Sequence, residues 1–123
     1  MILADTSIWV DHLRRADARL QRLLERSDVC MHPMVIGEIA CGNLKNRRLL
    51  EDLALLPAAT VATHGEVLSY LERHQLMGRG VGLIDVHLLA SAALSNVSLW
   101  TRDKRFSAVA NELGLAPTDA PFQ

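Results

Sequence analysis

Apolar residues occur along this chain in two alternating forms, short unbroken runs and stripes spaced three and four apart. The run Met1-Ile2-Leu3-Ala4 predicts a first strand over about Ile2 to Asp5. Thr6 or Ser7 can then cap a helix that continues through His12. Leu20, Leu23 and Leu24 form a helical stripe with Arg19, Arg22 and Arg26 outside it. Val29 to Met31 reads as a second strand, ended by Pro33, and a helix carrying Glu38 closes near Gly42. Leu49, Leu50, Leu53 and Leu56 line a further helix, stopped by Pro57. Thr60 to Ala62 gives a short third strand, Glu66 to Met77 a helix, and Gly78, Gly80 and Gly82 a loop. The segment from Asp85 to Leu94 is apolar nearly all round, which predicts a central, buried helix. Val97 to Thr101 makes a fourth strand. Phe106, Val109, Ala110 and Leu113 then line a final amphipathic helix closed by Gly114, and the tail from Ala116 can add an edge strand.

Strands alternating with helical stripes define an α/β fold, with a mostly parallel sheet of four to five strands flanked by helices. No repeat, low-complexity segment or linker divides the 123 residues, so residues 1–123 read as one domain. Aromatics are only 4% while hydrophobic residues are 50%, so the core is built from Leu, Val, Ile and Ala. A net charge of −1 excludes a global basic field, and any polyanion must be met by local patches. Cys30 and Cys41 lie in apolar contexts outside any C-x-x-C arrangement and read as two reduced core thiols. Asp5 interrupts the N-terminal apolar run, so no signal peptide is expected. No run approaches the ~20 residues a bilayer requires, and a cytoplasmic protein with no membrane partner is expected.

Four acids stand in apolar surroundings: Asp5, Glu38, Asp85 and Asp103. Carboxylates are seldom buried unless paired or bound to a metal. On helices, Glu38 would have Met34, Val35, Cys41 and Gly42 as neighbours, and Asp85 would have Val81, Gly82, Leu88 and Leu89; none is a cation. Asp5 and Asp103 leave the carboxyl ends of predicted strands, and Glu38 and Asp85 lie in the first turns of predicted helices. Sites in parallel α/β sheets gather beyond the strand carboxyl ends, so this layout sends four acids to one edge. Two carboxylates ~4 Å apart repel by roughly 4 kcal/mol at an effective dielectric near 20. Such a cluster calls for a hard cation, and Mg2+ or Mn2+ suits an all-oxygen site. The chemistry this points to is metal-dependent phosphodiester hydrolysis. Thr6, Ser7 and Thr101 add hydroxyls that can orient the carboxylates. Arg102, Lys104, Arg105 and Arg79 supply local positive charge for a phosphate backbone. Any one acid alone is more often a turn residue, a helix-end charge or a solvated loop acid; the set of four is what favours a site.

Other motifs carry less. Gly78-Arg79-Gly80-Val81-Gly82 follows no strand and lacks a G-K-[ST] ending, so it reads as a flexible approach to the Asp85 helix. His12, His32, His64, His74 and His87 show no zinc spacing, and His87 should point away from Asp85 into packing or to the surface. Trp9 and Trp100 read as core residues, so no platform for base stacking is expected.

At these residues the sequence resembles the PIN-domain ribonucleases, and among them the VapC-type toxins of type II toxin–antitoxin pairs. The resemblance is carried by Asp5-Thr6-Ser7-Ile8-Trp9, by Gly37-Glu38-Ile39-Ala40-Cys41-Gly42, by Asp85-Val86-His87-Leu88-Leu89-Ala90-Ser91-Ala92 and by Leu99-Trp100-Thr101-Arg102-Asp103-Lys104-Arg105-Phe106. It implies a three-layer PIN-like fold. Asp5, Glu38, Asp85 and Asp103 map onto the family's acidic metal-binding set, Thr101 onto its accompanying hydroxyl, and Thr6 and Ser7 onto the polar pair after the first acid. It also implies Mg2+- or Mn2+-dependent RNA cleavage, a homodimer, and a cognate antitoxin that delivers a basic side chain into the acidic pocket. One position departs: many members carry Ser or Thr three residues before the second acid, where this chain has Val35.

The expectation is therefore an endoribonuclease toxin in which Asp5, Asp85 and Asp103 hold the ion and Glu38 completes the site and orients the attacking water. Two rivals are a receiver-like signalling domain, which would need an acidic pair after the first strand and a phospho-accepting Asp after the middle one, and a catalytically inert PIN-like module that only binds partners.

Overall fold

In the computed structural model, which describes residues 1–118, three parallel strands form the sheet. They are β1 (Ile2–Ala4), β2 (Val29–Cys30) and β3 (Ser98–Trp100), in the order β2-β1-β3. Leu3 faces Cys30 on one side and Leu99 on the other. All three residues of β1 are buried, as the uninterrupted apolar run requires of a central parallel strand. The helices are α1 (Thr6–Arg14), α2 (Ala18–Glu25), α3 (Pro33–Cys41), α4 (Leu49–Leu53), α5 (His64–Arg73), α6 (Leu83–Ser95) and α7 (Lys104–Glu112). Every residue of α6 from Val86 to Ala92 is buried, so the helix predicted to be central is central. Trp9 and Trp100 belong to the core, as expected.

The chain leaves β1 through α1 and α2 to reach β2, then returns through α3 to α6 to lay β3 on the opposite side of β1. On the outer side of β3, the Leu99 N–H donates to the Leu115 carbonyl at 2.7 Å. The crevice beyond the carboxyl ends of such adjacent strands is where doubly wound sheets build their sites.

Several expectations need correction. The helix after β1 is capped by Asp5 rather than by Thr6 or Ser7, because the Asp5 carboxylate accepts from the Ser7 and Ile8 N–H groups. The sheet has three strands among the described residues, not four to five. Thr60–Ala62 forms no strand: Met31 makes an isolated parallel bridge with Ala58, and the next free amides turn to hydroxyls of α6. Thr60 N–H donates to Ser95 Oγ at 2.8 Å and Ala62 N–H to Ser91 Oγ at 3.2 Å, so side chains replace a strand partner there. The predicted edge strand from Ala116 finds no strand over 116–118, and its remainder lies outside the described residues. The helix predicted over Glu66–Met77 runs from His64 to Arg73, started by a Thr63–Glu66 capping box. Of the two thiols, only Cys30 is in the core; Cys41, at the exposed end of α3, is free and accessible.

Candidate active site

Asp5 is the hub of the crevice. It follows β1, and its N–H donates to the Trp100 carbonyl of β3 at 2.9 Å, which seats it against the neighbouring strand. Its Oδ1 accepts from the Ser7 N–H at 3.0 Å and the Ser7 hydroxyl at 2.5 Å. Its Oδ2 accepts from the Thr101 hydroxyl at 2.7 Å. Each hydroxyl also accepts a backbone proton, Ser7 Oγ from Arg102 N–H at 3.0 Å and Thr101 Oγ1 from Asp103 N–H at 3.1 Å. Both hydroxyls thus donate to Asp5 while they lie 3.4 Å from each other, so the carboxylate is held from both sides.

The other three acids each spend one oxygen on position. Asp103 caps α7, with Oδ1 accepting from Phe106 N–H at 3.0 Å. Asp85 lies in the first turn of α6 and reaches back to Gly82 N–H at 3.1 Å through Oδ2. Glu38 accepts the Thr6 hydroxyl at 2.6 Å through Oε1. Among the described residues, Oδ2 of Asp103, Oδ1 of Asp85 and Oε2 of Glu38 accept no hydrogen bond, and none of the four acids forms an ion pair. Glu38 sits in the second turn of α3, which starts at Pro33 behind a His32 cap, rather than in the first turn expected for it; the positive end of a helix therefore favours the Asp85 anion and not that of Glu38.

Asp85 feels the other three carboxylates. Burial pushes the Asp85 carboxyl above the ordinary aspartate range, and the negative charges of Asp5, Asp103 and Glu38 push it the same way against the Gly82 N–H. A hydrated divalent ion fits this donor set: hard oxygens, one available on each of three acids and a second lone pair on Asp5 Oδ2, uncompensated negative charge, and no resident cation. Among the described residues, no three His, Cys, Asp or Glu groups are already disposed to hold an ion directly. Mg2+ keeps several of its waters and takes few direct protein ligands.

The basic residues divide. The Arg102 guanidinium is engaged by Asp11 and Asp17, and that of Arg79 by both carboxylate oxygens of Glu112 at 2.8 and 2.9 Å. Arg105 lies across Gly80, whose backbone has φ +82, and an added Cβ there would meet Arg105 Cδ at 2.7 Å. The glycine loop read as flexible is thus tied to α7 at two points. Lys104 is exposed and forms no ion pair among the described residues.

Two features had no signal in the sequence. Asp17 caps α2 while it receives Arg102. Burial works to raise its carboxyl, but the N–H groups of Leu20 and Arg19 and the Arg102 guanidinium outweigh it and hold the group below the aspartate range. Fully buried His32 accepts Met34 N–H through Nδ1 and pairs its Nε2 with Ser91 Oγ at 3.0 Å. Burial, with the nearby His87, lowers the His32 imidazole from 6.5 to about 4. His87 is also buried, in packing rather than at the surface, and its Nδ1 has no hydrogen-bond partner among the described residues.

A parallel sheet with β1 at its centre, and acids gathered at the carboxyl ends of β1 and β3, define an α/β protein with an acidic candidate site. Residues 2–112 match the PIN domain family, and the chain belongs to that family. It is 50% identical over 118 residues to Ribonuclease VapC32 of Mycobacterium tuberculosis, from strains H37Rv and CDC 1551 alike, covering 94% of this chain and 95% of the relative. That likeness puts it on the VapC side of the family. Among solved structures it resembles FitAcB from Neisseria gonorrhoeae, with a TM-score of 0.62 at 20% identity over 90% of this chain and 94% of that one. It also resembles PAE2754 from Pyrobaculum aerophilum, with a TM-score of 0.59 at 17% identity over 88% of this chain and 78% of that one. At such identities these two structures speak to the fold alone, and membership of the PIN family removes the receiver-like reading.

Proposed function

We propose that this chain, residues 1–123, is a single PIN domain acting as a metal-dependent endoribonuclease, the toxin of a bacterial toxin–antitoxin pair. The likeness to Ribonuclease VapC32 supports the activity. The site assignment rests on the way Ser7 and Thr101 orient Asp5 at the ends of β1 and β3; among the described residues none of the four acids forms an ion pair, and burial together with Asp5, Asp103 and Glu38 raises the Asp85 carboxyl. When bound, Mg2+ or Mn2+ supplies Lewis acidity toward a phosphate oxygen and toward the attacking water. Asp5, Asp85 and Asp103 would hold the ion, directly or through water. Ser7 and Thr101 lock Asp5 in one orientation, and Thr6 fixes Glu38 so that Oε2 is free to accept a proton from the attacking water and align it with the phosphorus. Lys104 and, across the glycine loop, Arg105 receive the flanking phosphates.

A partner is proposed on the same basis. A cleft of about 770 Å3 between α1 and the end of α3 has Val10, Leu13, Ile39 and Leu44 in its walls and Glu38 at its margin. An antitoxin laying an apolar segment there can bring a basic side chain to the acids. We propose a homodimer and a cytoplasmic setting on family grounds; no helix among the described residues is long and apolar enough to cross a membrane.

The test is induced expression of wild type and Asp5→Ala, with sequencing of new RNA 5′ ends. Growth arrest and discrete cuts in wild type alone are expected. Identical RNA profiles in both would overturn the reading in favour of an inert partner-binding module.

A further inference from the structure

The Arg102 side chain, beside the acidic crevice, is engaged by two carboxylates outside the set of four. Its Nε meets Asp11 Oδ2 of α1 at 2.6 Å, and its terminal nitrogen meets Asp17 Oδ2 at the start of α2 at 2.5 Å. The guanidinium carbon lies 6.0 Å from the centre of the Trp100 ring at the end of β3. Asp17 is itself rigid, since its other oxygen accepts from Arg19 and Leu20 N–H groups at 2.9 and 3.0 Å and its own N–H donates to His12 Nδ1 at 3.0 Å. Meanwhile the Arg102 N–H donates to Ser7 Oγ, and the residues on either side of it are Thr101 and Asp103.

One residue thus carries two connections at once. Its side chain ties the strand-end turn to α1 and α2. Its backbone closes the hydroxyl relay onto Asp5. The turn it holds delivers the Thr101 hydroxyl to Asp5 Oδ2 and carries Asp103. We infer that Arg102 is a positioning residue, a clamp that sets the separation of Asp5 and Asp103 and so prepares the crevice for a divalent ion, rather than a contact to the RNA phosphates. This rests on the metal-dependent reading given above.

The physical reason is electrostatic. Asp5 and Asp103 repel each other, and in the absence of a cation the turn between β3 and α7 would open to relieve that repulsion. A guanidinium fixed by two carboxylates on separate helices opposes the opening with charge-assisted hydrogen bonds. Arginine is suited because its planar fork can serve two acids at once.

The experiment uses the full chain as wild type, Arg102→Met and Asp11→Asn, the last removing one exposed partner and leaving the Asp17 cap intact. Three readouts are taken. Hydrogen exchange of the Arg102 and Asp103 amides is followed in metal-free protein. Mn2+ alone is titrated into each protein. Binding of a single-stranded RNA is measured without divalent ions at several salt concentrations. The clamp predicts faster exchange at both amides, Mn2+ affinity weakened about tenfold in Arg102→Met and less in Asp11→Asn, and an unchanged salt slope. Unchanged exchange and Mn2+ affinity in Arg102→Met, with a salt slope shallower by about 0.7, would make Arg102 a phosphate contact and overturn the inference. Should Arg102→Met not fold, Asp11→Asn decides: wild-type exchange and Mn2+ affinity there also overturn it. If wild type itself binds no Mn2+, the metal-dependent reading fails, and amide exchange still decides whether the clamp exists.

Discussion

The Thr101 hydroxyl donates to Asp5 Oδ2 across 2.7 Å, joining residues 96 apart in sequence at the ends of two adjacent parallel strands. That bond orients the acid at the centre of the crevice. It exists only because β3 lies beside β1, with Ala4 opposite Trp100.

Thr101→Val keeps the shape and removes the hydroxyl's bonds to Asp5 and Asp103 together with its contact to Ser7 Oγ. The Asp103 N–H then loses its acceptor and Asp5 Oδ2 its donor. A loss of about 1–3 kcal/mol in unfolding free energy is expected from the unsatisfied groups, with Mn2+ binding weakened about tenfold or more. Ser7→Ala should act similarly, and the double variant should lose less than the sum, because both hydroxyls hold one carboxylate. Denaturant titration and Mn2+ titration check both; strict additivity would contradict a shared role.

Asp85→Asn removes the anion that its surroundings most oppose while keeping an acceptor for Gly82 N–H. RNA cleavage in Mg2+ should fall by about a thousandfold or more, the scale expected when several kcal/mol of metal-ion catalysis is lost. The metal-free variant should melt at or above the wild-type temperature, whereas Mg2+ should raise the wild-type value more than that of the variant. Wild-type cleavage by Asp85→Asn would remove the residue from the site.

The buried His32 makes the fold sensitive to mild acid. Its imidazole is neutral in the folded chain down to about pH 4, whereas it takes a proton near pH 6.5 when unfolded. The unfolded state therefore binds more protons between these values, so stability is full above pH 6.5 and declines as pH falls toward 4. By pH 5 this one group should cost about 2 kcal/mol. His32→Asn, which retains a short polar cap, should be less stable at pH 7 but show a flatter decline. Urea midpoints at pH 7 and pH 5 provide the comparison, and parallel declines in the two proteins would contradict the assignment.

Gly80→Ala tests the seating of Arg105. A side chain there meets both an unfavourable backbone conformation and the Arg105 methylene at 2.7 Å. A destabilisation of about 1–2 kcal/mol is expected from the left-handed backbone, with RNA binding altered through the displaced Arg105. Thermal melts and RNA titration measure the two effects separately, and a variant as stable as wild type would show that the loop yields.

Much of this protein is written locally. The runs at β1, β2 and β3, the all-round apolar α6 and the stripe of α7 follow from periodicity, because burying a run or a stripe is the one way a short segment can remove its own apolar surface from water. The four acids could be singled out for the same reason, as charges placed where the pattern calls for apolar residues. What periodicity misplaced were elements whose partners are distant. Thr60–Ala62 has strand composition, yet its amides bond to Ser91 and Ser95 hydroxyls some 30 residues on. Arg102 looks like a nucleic-acid contact beside Lys104 and Arg105, yet its charge is matched by Asp11 and Asp17, some 90 residues earlier. Hydrophobic burial is additive and readable segment by segment. Hydrogen bonds and ion pairs depend on direction and on distances of ~3 Å, so the assignment of Asp5 to cap α1, of Thr6 to hold Glu38 and of Arg102 to tie down the strand-end turn came into being only when the helices packed around the sheet.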